Sequence, residues 1–355
     1  MTGGHEEYCY DMRRVYNDLG YEVFEPGLFG KAHTEGSEQH KRPFDSPTND
    51  EEFHHNNQIF ATIEGEDGWH SQFGNEKLDF FTNSPNLAEF VYDRCPYSVD
   101  YIVERSDVGH GLAAQYAAVF APHLPFIWHF HGQQHAKYYR AIDWVRGHDG
   151  VVISYCQEEA DLFPDHDLPV IHFCKDPDEH TGWTGELDQI MYSANDLQAR
   201  KGACHYDEFK ATARSGKWVL TGKNNEALGG TRLLYDDFRS TMRRSRAFFN
   251  LGTVPATYTL SIIEAAMTGL PILTPNYEHP PTCPVYSVPR IFSGACVVGS
   301  LPKLNRTIDA WLKNGRLARR QMSRLSEKAR RVALQEFGID TIRPKWRAVV
   351  EELVA

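Results

Sequence analysis

The segment from Ser245 to Thr274 leaves this chain few folds to choose from. Ala247 to Leu251 is an apolar run of strand length, and Gly252 to Thr259 is rich in turn formers. Leu260 to Thr268 suits a helix, with Gly269 where a C-cap belongs. Pro271 blocks further helix, and Ile272 and Leu273 open the next strand. A strand, a loop, a helix and a second strand in this order form the repeating unit of a parallel α/β sheet. Its loop falls at the carboxyl end of a strand, where open α/β sheets bind ligands. Glu264 lies near the helix start. A helix start offers free N–H groups to a phosphate, and a nearby carboxylate can hold ribose hydroxyls. The residues therefore point to a nucleoside diphosphate.

The chain has 355 residues, enough for two α/β domains with separate cores. No apolar run approaches the roughly 20 residues of a membrane span, and no signal peptide opens the sequence. The seven cysteines are scattered and include no CxxC pair. This predicts reduced thiols in a cytoplasmic compartment (a host's, if the protein is viral) and neither a disulfide frame nor a zinc site. The net charge of −11 argues against a broad nucleic-acid surface. It is uneven, however: Lys303, Arg306, Lys313, Arg316, Arg319, Arg320, Arg324, Lys328, Arg330 and Arg331 face only Asp309 and Glu327 in the same stretch. A solvated helix face is the expected reading, with peripheral contact to an acidic partner as its alternative.

Glu6 to Leu19 has helical spacing and stops at Gly20, and Tyr21 to Phe24 follows as a strand. Residues 27–74 lack periodicity and read as an irregular insertion. From residue 101 a β-α rhythm returns, with strands at Tyr101–Val103, Phe126–Phe130, Val151–Tyr155 and Val170–Phe173. Helices are expected at Leu112–Phe120, Tyr138–Val145 and Glu158–Phe163. Asp176 to Gly185 reads as a connection between domains. The second half predicts strands at Gln189–Ala194, Trp218–Thr221 and Ala295–Val298. It predicts helices at Tyr206–Arg214, Arg232–Met242 and from Leu304, with a last amphipathic helix carrying Trp346, Val349, Val350 and Leu353.

The run Glu264-Ala-Ala-Met-Thr-Gly-Leu-Pro271 resembles the donor-binding signature of GT-B glycosyltransferases, in particular the retaining glycosyltransferase family 4. That pattern carries an earlier acid, and here Ala256 stands in its place. Lys201-Gly202 resembles the family's Lys-Gly, whose lysine contacts the diphosphate. The accompanying arginine of the family falls on Asp196, with Arg200 as the substitute. His131-Gly132, at the end of the strand Phe126–Phe130, resembles the family's strand-end histidine. Gly3-Gly4 resembles its amino-terminal glycine loop, although the strand that precedes that loop in the family is missing here.

The resemblance implies an α/β fold of two Rossmann-like domains (GT-B), with parallel sheets flanked by helices and a ligand cleft between them. Residues 1–177 would form the acceptor-side domain and 178–335 the nucleotide-sugar domain. The helix in 336–355 would pack back on the first domain. Implied is retaining transfer of a sugar from a nucleotide-diphosphate sugar to an acceptor hydroxyl, with no metal and no further cofactor. His131, Arg200 and Lys201 would be catalytic. Gly3, Gly4, Gly222, Asn224, Thr259, Leu260, Ser261 and Glu264 would bind the donor, and Asp107 and His110 would face the acceptor. His129, on the same strand as His131, reads instead as a core histidine. The acceptor stays open between glycan, lipid, small molecule and nucleic acid. Alternatives on the same fold are a viral-type glycosyltransferase of hydroxymethylated DNA bases, a non-catalytic nucleotide-sugar-binding protein and a sugar-nucleotide epimerase. On this reading Glu264→Ala weakens nucleotide binding and leaves the fold intact.

Overall fold

Short apolar runs without polar alternation are typical of strands in a parallel sheet, and most of the eight strands among the described residues are such runs. The computed structural model describes residues 11–12, 14–21, 102–106, 126–130, 142–143, 145–147, 150–180, 182–213, 217–253, 259–276 and 291–354. Of the expected strand Tyr21–Phe24 only Tyr21 is among them, and the helix Leu112–Phe120 and the insertion 27–74 lie outside them. Described residues up to Ile171, together with Arg343–Val354, form one compact unit, and His172–Ile342 form the other.

In the first unit β1 (Ile102–Ser106), β2 (Phe126–Phe130) and β3 (Val151–Ser154) make a parallel sheet in the order β1-β2-β3. Ile127, Trp128, Val152 and Ile153 are buried in its core. His129 is buried with them, and its Nε2 donates to the Ile171 carbonyl at 3.1 Å. The expected strand Val170–Phe173 is only a single bridge from Val170 to Ser154. The backbone beyond it bonds elsewhere: Lys175 N–H reaches the Phe337 carbonyl at 2.8 Å. The expected helix Glu158–Phe163 is one turn, α1 (Gln157–Ala160).

The second unit holds β4 (Ile190–Ser193), β5 (Trp218–Thr221), β6 (Ala247–Phe249), β7 (Ile272–Pro275) and β8 (Cys296–Gly299). All pair in parallel, in the order β5-β4-β6-β7-β8. Helices α2 (Tyr206–Thr212), α3 (Tyr235–Arg244), α4 (Leu260–Thr268), α5 (Leu301–Leu312) and α6 (Arg316–Phe337) alternate with and follow these strands. Helix α3 starts three residues later than its apolar spacing suggests. Leu234 is still extended, while Asp236 and Asp237 in the first turn and Arg243 and Arg244 in the last suit the helix dipole. Helix α4 runs where the sequence places it. Gly269 ends it at φ +81°, the left-handed geometry that favours glycine.

The carboxyl-terminal helix α7 (Ile339–Val354) enters the first unit at Arg343. There Arg343 pairs with Asp18 of the helical segment 14–18. Fully buried Trp346 meets Tyr16 and His129 edge-on, with ring centroids 5.7 and 5.2 Å away. No helix among the described residues is long and apolar enough to cross a membrane.

Two expectations change in the second unit. Residues 176–185, read as a connection, are pinned into its body. The Trp183 indole donates to the Ser245 carbonyl at 2.8 Å, and Thr184 N–H bonds the Arg243 carbonyl at 2.9 Å. The basic stretch is mostly a solvated face, with Arg306, Arg316, Arg319, Arg320, Arg324 and Arg331 exposed. Arg330 is different. Its guanidinium donates to the carbonyls of Pro177, His180 and Met267, so it ties α6 to the last turn of α4 and to the 177–180 segment. Removing it strands these acceptors, at about 1.5–3 kcal/mol for each charge-assisted bond. Arg330→Ala is therefore expected to lower the urea midpoint of unfolding clearly, whereas Arg331→Ala leaves it within error.

Candidate functional site

Numbered within the second unit, the strand order is 2-1-3-4-5. Connections after the first and third strands leave the sheet toward opposite faces, and a crevice opens between their carboxyl ends. Here those strands are β4 and β6. The segments that follow them, 194–205 and 250–260, carry Arg200, Lys201, Thr259 and Leu260 of the residues that the sequence singles out.

The segment after β4 is clamped to the segment after β5 by asparagines. Asn195 Oδ1 accepts from Lys223 N–H at 2.8 Å. Asn225 Oδ1 accepts from Leu197 N–H at 3.0 Å, and its Nδ2 donates to the Ala194 carbonyl at 2.6 Å. Gly222 makes this approach possible. It sits at φ +123°, and a Cβ there would lie 2.0 Å from the Ala194 oxygen. Asn224, a predicted donor ligand, adopts the left-handed conformation at φ 59° and donates to the Asp196 carboxylate. Both residues shape the loop. Asn225 is the buried member of the pair and the stronger clamp.

Arg200 and Lys201 lie in the turns between β4 and α2. The Lys201 ammonium is 3.0 Å from Asp207, with both side chains more than half exposed. Such a pair is screened by water and leaves the lysine able to change partners. Arg200 is partly buried, and its charge is felt at the Cys204 thiol. Burial nevertheless raises the Cys204 pKa, outweighing both Arg200 and a hydrogen bond with Thr253. That bond ties the segment after β4 to the loop after β6. His205, beside Cys204, has its pKa lowered by burial, against the opposing pull of Glu208. Cys156, Cys174, Cys204 and Cys296 are free and buried. Burial pushes the Cys296 thiol up to about 11. A thiol held protonated is a poor nucleophile.

Thr259 is the N-cap residue of α4, and its hydroxyl lies 2.9 Å from that of Ser261. The first N–H groups of a helix lack intrahelical acceptors. Leu260 and Ser261 are in this position, so the helix start keeps its capacity for an anion. Further along, Ile262 to Thr268 are all buried, Glu264 included, with 4% of its surface exposed. Its Oε1 lies 3.3 Å from the Nζ of Lys175, which is fully buried.

Sequence reasoning missed Lys175. An acid in an apolar helix announces that it needs a counter-charge, but not which of the chain's lysines and arginines supplies it. Removing one partner of a buried ion pair takes away part of what offsets the burial of the other charge.

Gly3, Gly4, Asp107, His110, Ala256 and His131 lie outside the described residues. The residues preceding Asp107 and His131, Ser106 and Phe130, pair in register at the carboxyl ends of β1 and β2. Among the described residues no group of three His, Cys, Asp or Glu could hold a metal ion.

Neither a protein-family profile nor a curated protein sequence matches the chain. Solved structures do. Anabaena HepE in complex with UDP-glucose is 12% identical, with a TM-score of 0.58 over 77% of this chain and 84% of that one. A glycosyltransferase from Rickettsia africae is 13% identical, with a TM-score of 0.57 over 79% and 82%. The pneumococcal O-GlcNAc transferase GtfA in complex with UDP and GlcNAc is 10% identical, with a TM-score of 0.50 over 76% and 60%. The fold is GT-B, an α/β architecture of parallel sheets flanked by helices.

Glu264→Ala is expected to unfold more readily than the parent, because it removes the carboxylate that Lys175 pairs with in the interior. Urea denaturation measures it, and an unchanged midpoint would mean that the two side chains are not paired.

Proposed function

We propose that the chain is a retaining glycosyltransferase that moves a sugar from a nucleoside-diphosphate sugar to an acceptor hydroxyl, in the manner of glycosyltransferase family 4. One observation carries this reading. The signature Glu264–Pro271 folds into α4, its glycine stop and the entry to β7, beside the switch point of a 2-1-3-4-5 sheet. Two of the similar structures hold ligands of the same class, UDP-glucose in HepE and UDP with GlcNAc in GtfA.

In this reading the diphosphate lies at the start of α4. N–H groups of Leu260 and Ser261 donate to its oxygens, and Arg200 and Lys201 complete the neutralisation as the leaving group departs. Glu264 holds the ribose hydroxyls. Gly222 and Asn224 shape the neighbouring loop, and Gly3 and Gly4 belong to the opposing donor wall. The bond from the anomeric carbon to the phosphate oxygen breaks. The acceptor oxygen attacks from the same face, and its proton passes to the departing phosphate. His131 orients the sugar and acceptor hydroxyls, with Asp107 and His110 on the acceptor side. The roles given to these residues need no metal ion. The chain passes from one unit to the other at Ile171–His172 and at Ile342–Arg343, and these are the natural joints between a donor-side domain and an acceptor-side domain.

Thermal unfolding with UDP-, GDP-, ADP- and dTDP-sugars tests the reading. A donor at a hundred times its Kd adds about 2.7 kcal/mol, which raises the Tm of a domain this size by roughly 5 °C or more. One donor is expected to give this shift and to release its nucleoside diphosphate slowly in water. A shift without release, even with acceptor mixtures, would instead indicate a binding protein. No shift with any donor would refute the assignment.

A further inference from the structure

Lys175 is the only lysine among the described residues that is fully buried. Its place is fixed at both ends. On the backbone, its N–H donates to the Phe337 carbonyl at 2.8 Å, and its own carbonyl accepts from Ile339 N–H at 3.0 Å. This parallel bridge sits at Gly338, where α6 gives way to α7. A Cβ on Gly338 would lie 2.5 Å from the Leu334 oxygen, so the junction tolerates no side chain there. At the other end, Nζ reaches Glu264 Oε1 at 3.3 Å.

Stability does not account for this pair. Desolvating two charges costs about as much as their attraction returns, and apolar residues of equal volume commonly do as well or better. What the pair provides is a carboxylate with one oxygen held in place inside an otherwise apolar helix. A hydrogen bond to a charged acceptor discriminates strongly only when the acceptor is already oriented.

We propose that Lys175 is a positioning residue for Glu264. It takes one carboxylate oxygen and so presents the group to the vicinal 2′- and 3′-hydroxyls of a nucleotide ribose. The proposal rests on the nucleotide-sugar reading above and adds to it the origin of ribose selectivity. It concerns a residue far from α4 in sequence that lies outside the family signature.

The test compares the affinities of UDP, GDP and ADP with those of their 2′,3′-dideoxy analogues, by calorimetry. The parent protein is expected to bind one ribonucleotide about 10- to 100-fold more tightly than its dideoxy form. Lys175→Met, checked for folding by circular dichroism, is expected to reduce that ratio to about threefold or less. The ribonucleotide should weaken while the dideoxy form keeps its affinity. A merely structural role would weaken both together. Lys175→Gln, which keeps a donor without the charge, is expected to lie between the two.

Should neither variant fold, nitrogen-detected NMR of lysine-labelled parent protein decides. A lysine ammonium signal protected from exchange is expected to shift with the ribonucleotide and not with its dideoxy form. A full selectivity ratio in Lys175→Met, or an NMR signal indifferent to the ribose, overturns the proposal and leaves the nucleotide reading standing. A parent that binds no nucleotide, or binds without regard to the ribose, defeats both.

Discussion

Helix α4 has no solvent face between Ile262 and Thr268, and much of the second unit follows from that burial. A helix apolar on every side must be enclosed on every side. It follows β6 and leads into β7, and Arg330 of α6 binds the carbonyl of Met267 in its last turn. Gly269 and Pro271 end the helix sharply, so β7 begins within a few residues. One carboxylate within such a helix cannot stand alone, and Lys175 meets it from the segment that bridges to Gly338. Packing that closes the helix thereby also links the signature segment to the junction of α6 and α7.

The elements with strong punctuation were legible in the sequence. The bounds of α4 were readable because a glycine stop and a proline mark its end. The strands of the second unit were readable because each is a short apolar run. Helix α3 was shifted because Arg232, Leu233 and Leu234 fit a helical pattern, whereas the charges of Asp236 and Asp237 marked its true start. Residues 176–185 show the limit of composition. Proline and glycine announce a departure from regular structure, but they do not say whether the segment is loose or packed. The partners that pack it, Ser245 and Arg330, are distant in sequence.

The candidate site divides along the same line. Glu264, Thr259 and Ser261 were legible because a motif fixes their spacing, and the helix carries that spacing into space. Lys175 carried no such mark. It becomes meaningful only when the fold brings it 3.3 Å from Glu264. Of the two asparagines after β5 the sequence singles out Asn224, and the structure gives the two different roles. Asn225 is the buried clamp on Ala194 and Leu197, and Asn224 is an αL turn residue bonded to Asp196. Sequence shows that a loop needs asparagine, whereas geometry decides which of the two bears the load.

The central claim of the proposed function is one of location, with the nucleotide expected at the switch point between β4 and β6. Hydrogen exchange read by mass spectrometry, with and without a saturating nucleotide sugar, tests it most directly. The account predicts slowed exchange concentrated in residues 194–204, 222–225 and 250–264, with the first turn of α4 most protected. Saturable binding that leaves these peptides unchanged, or protects only the basic face of α5 and α6, would contradict it.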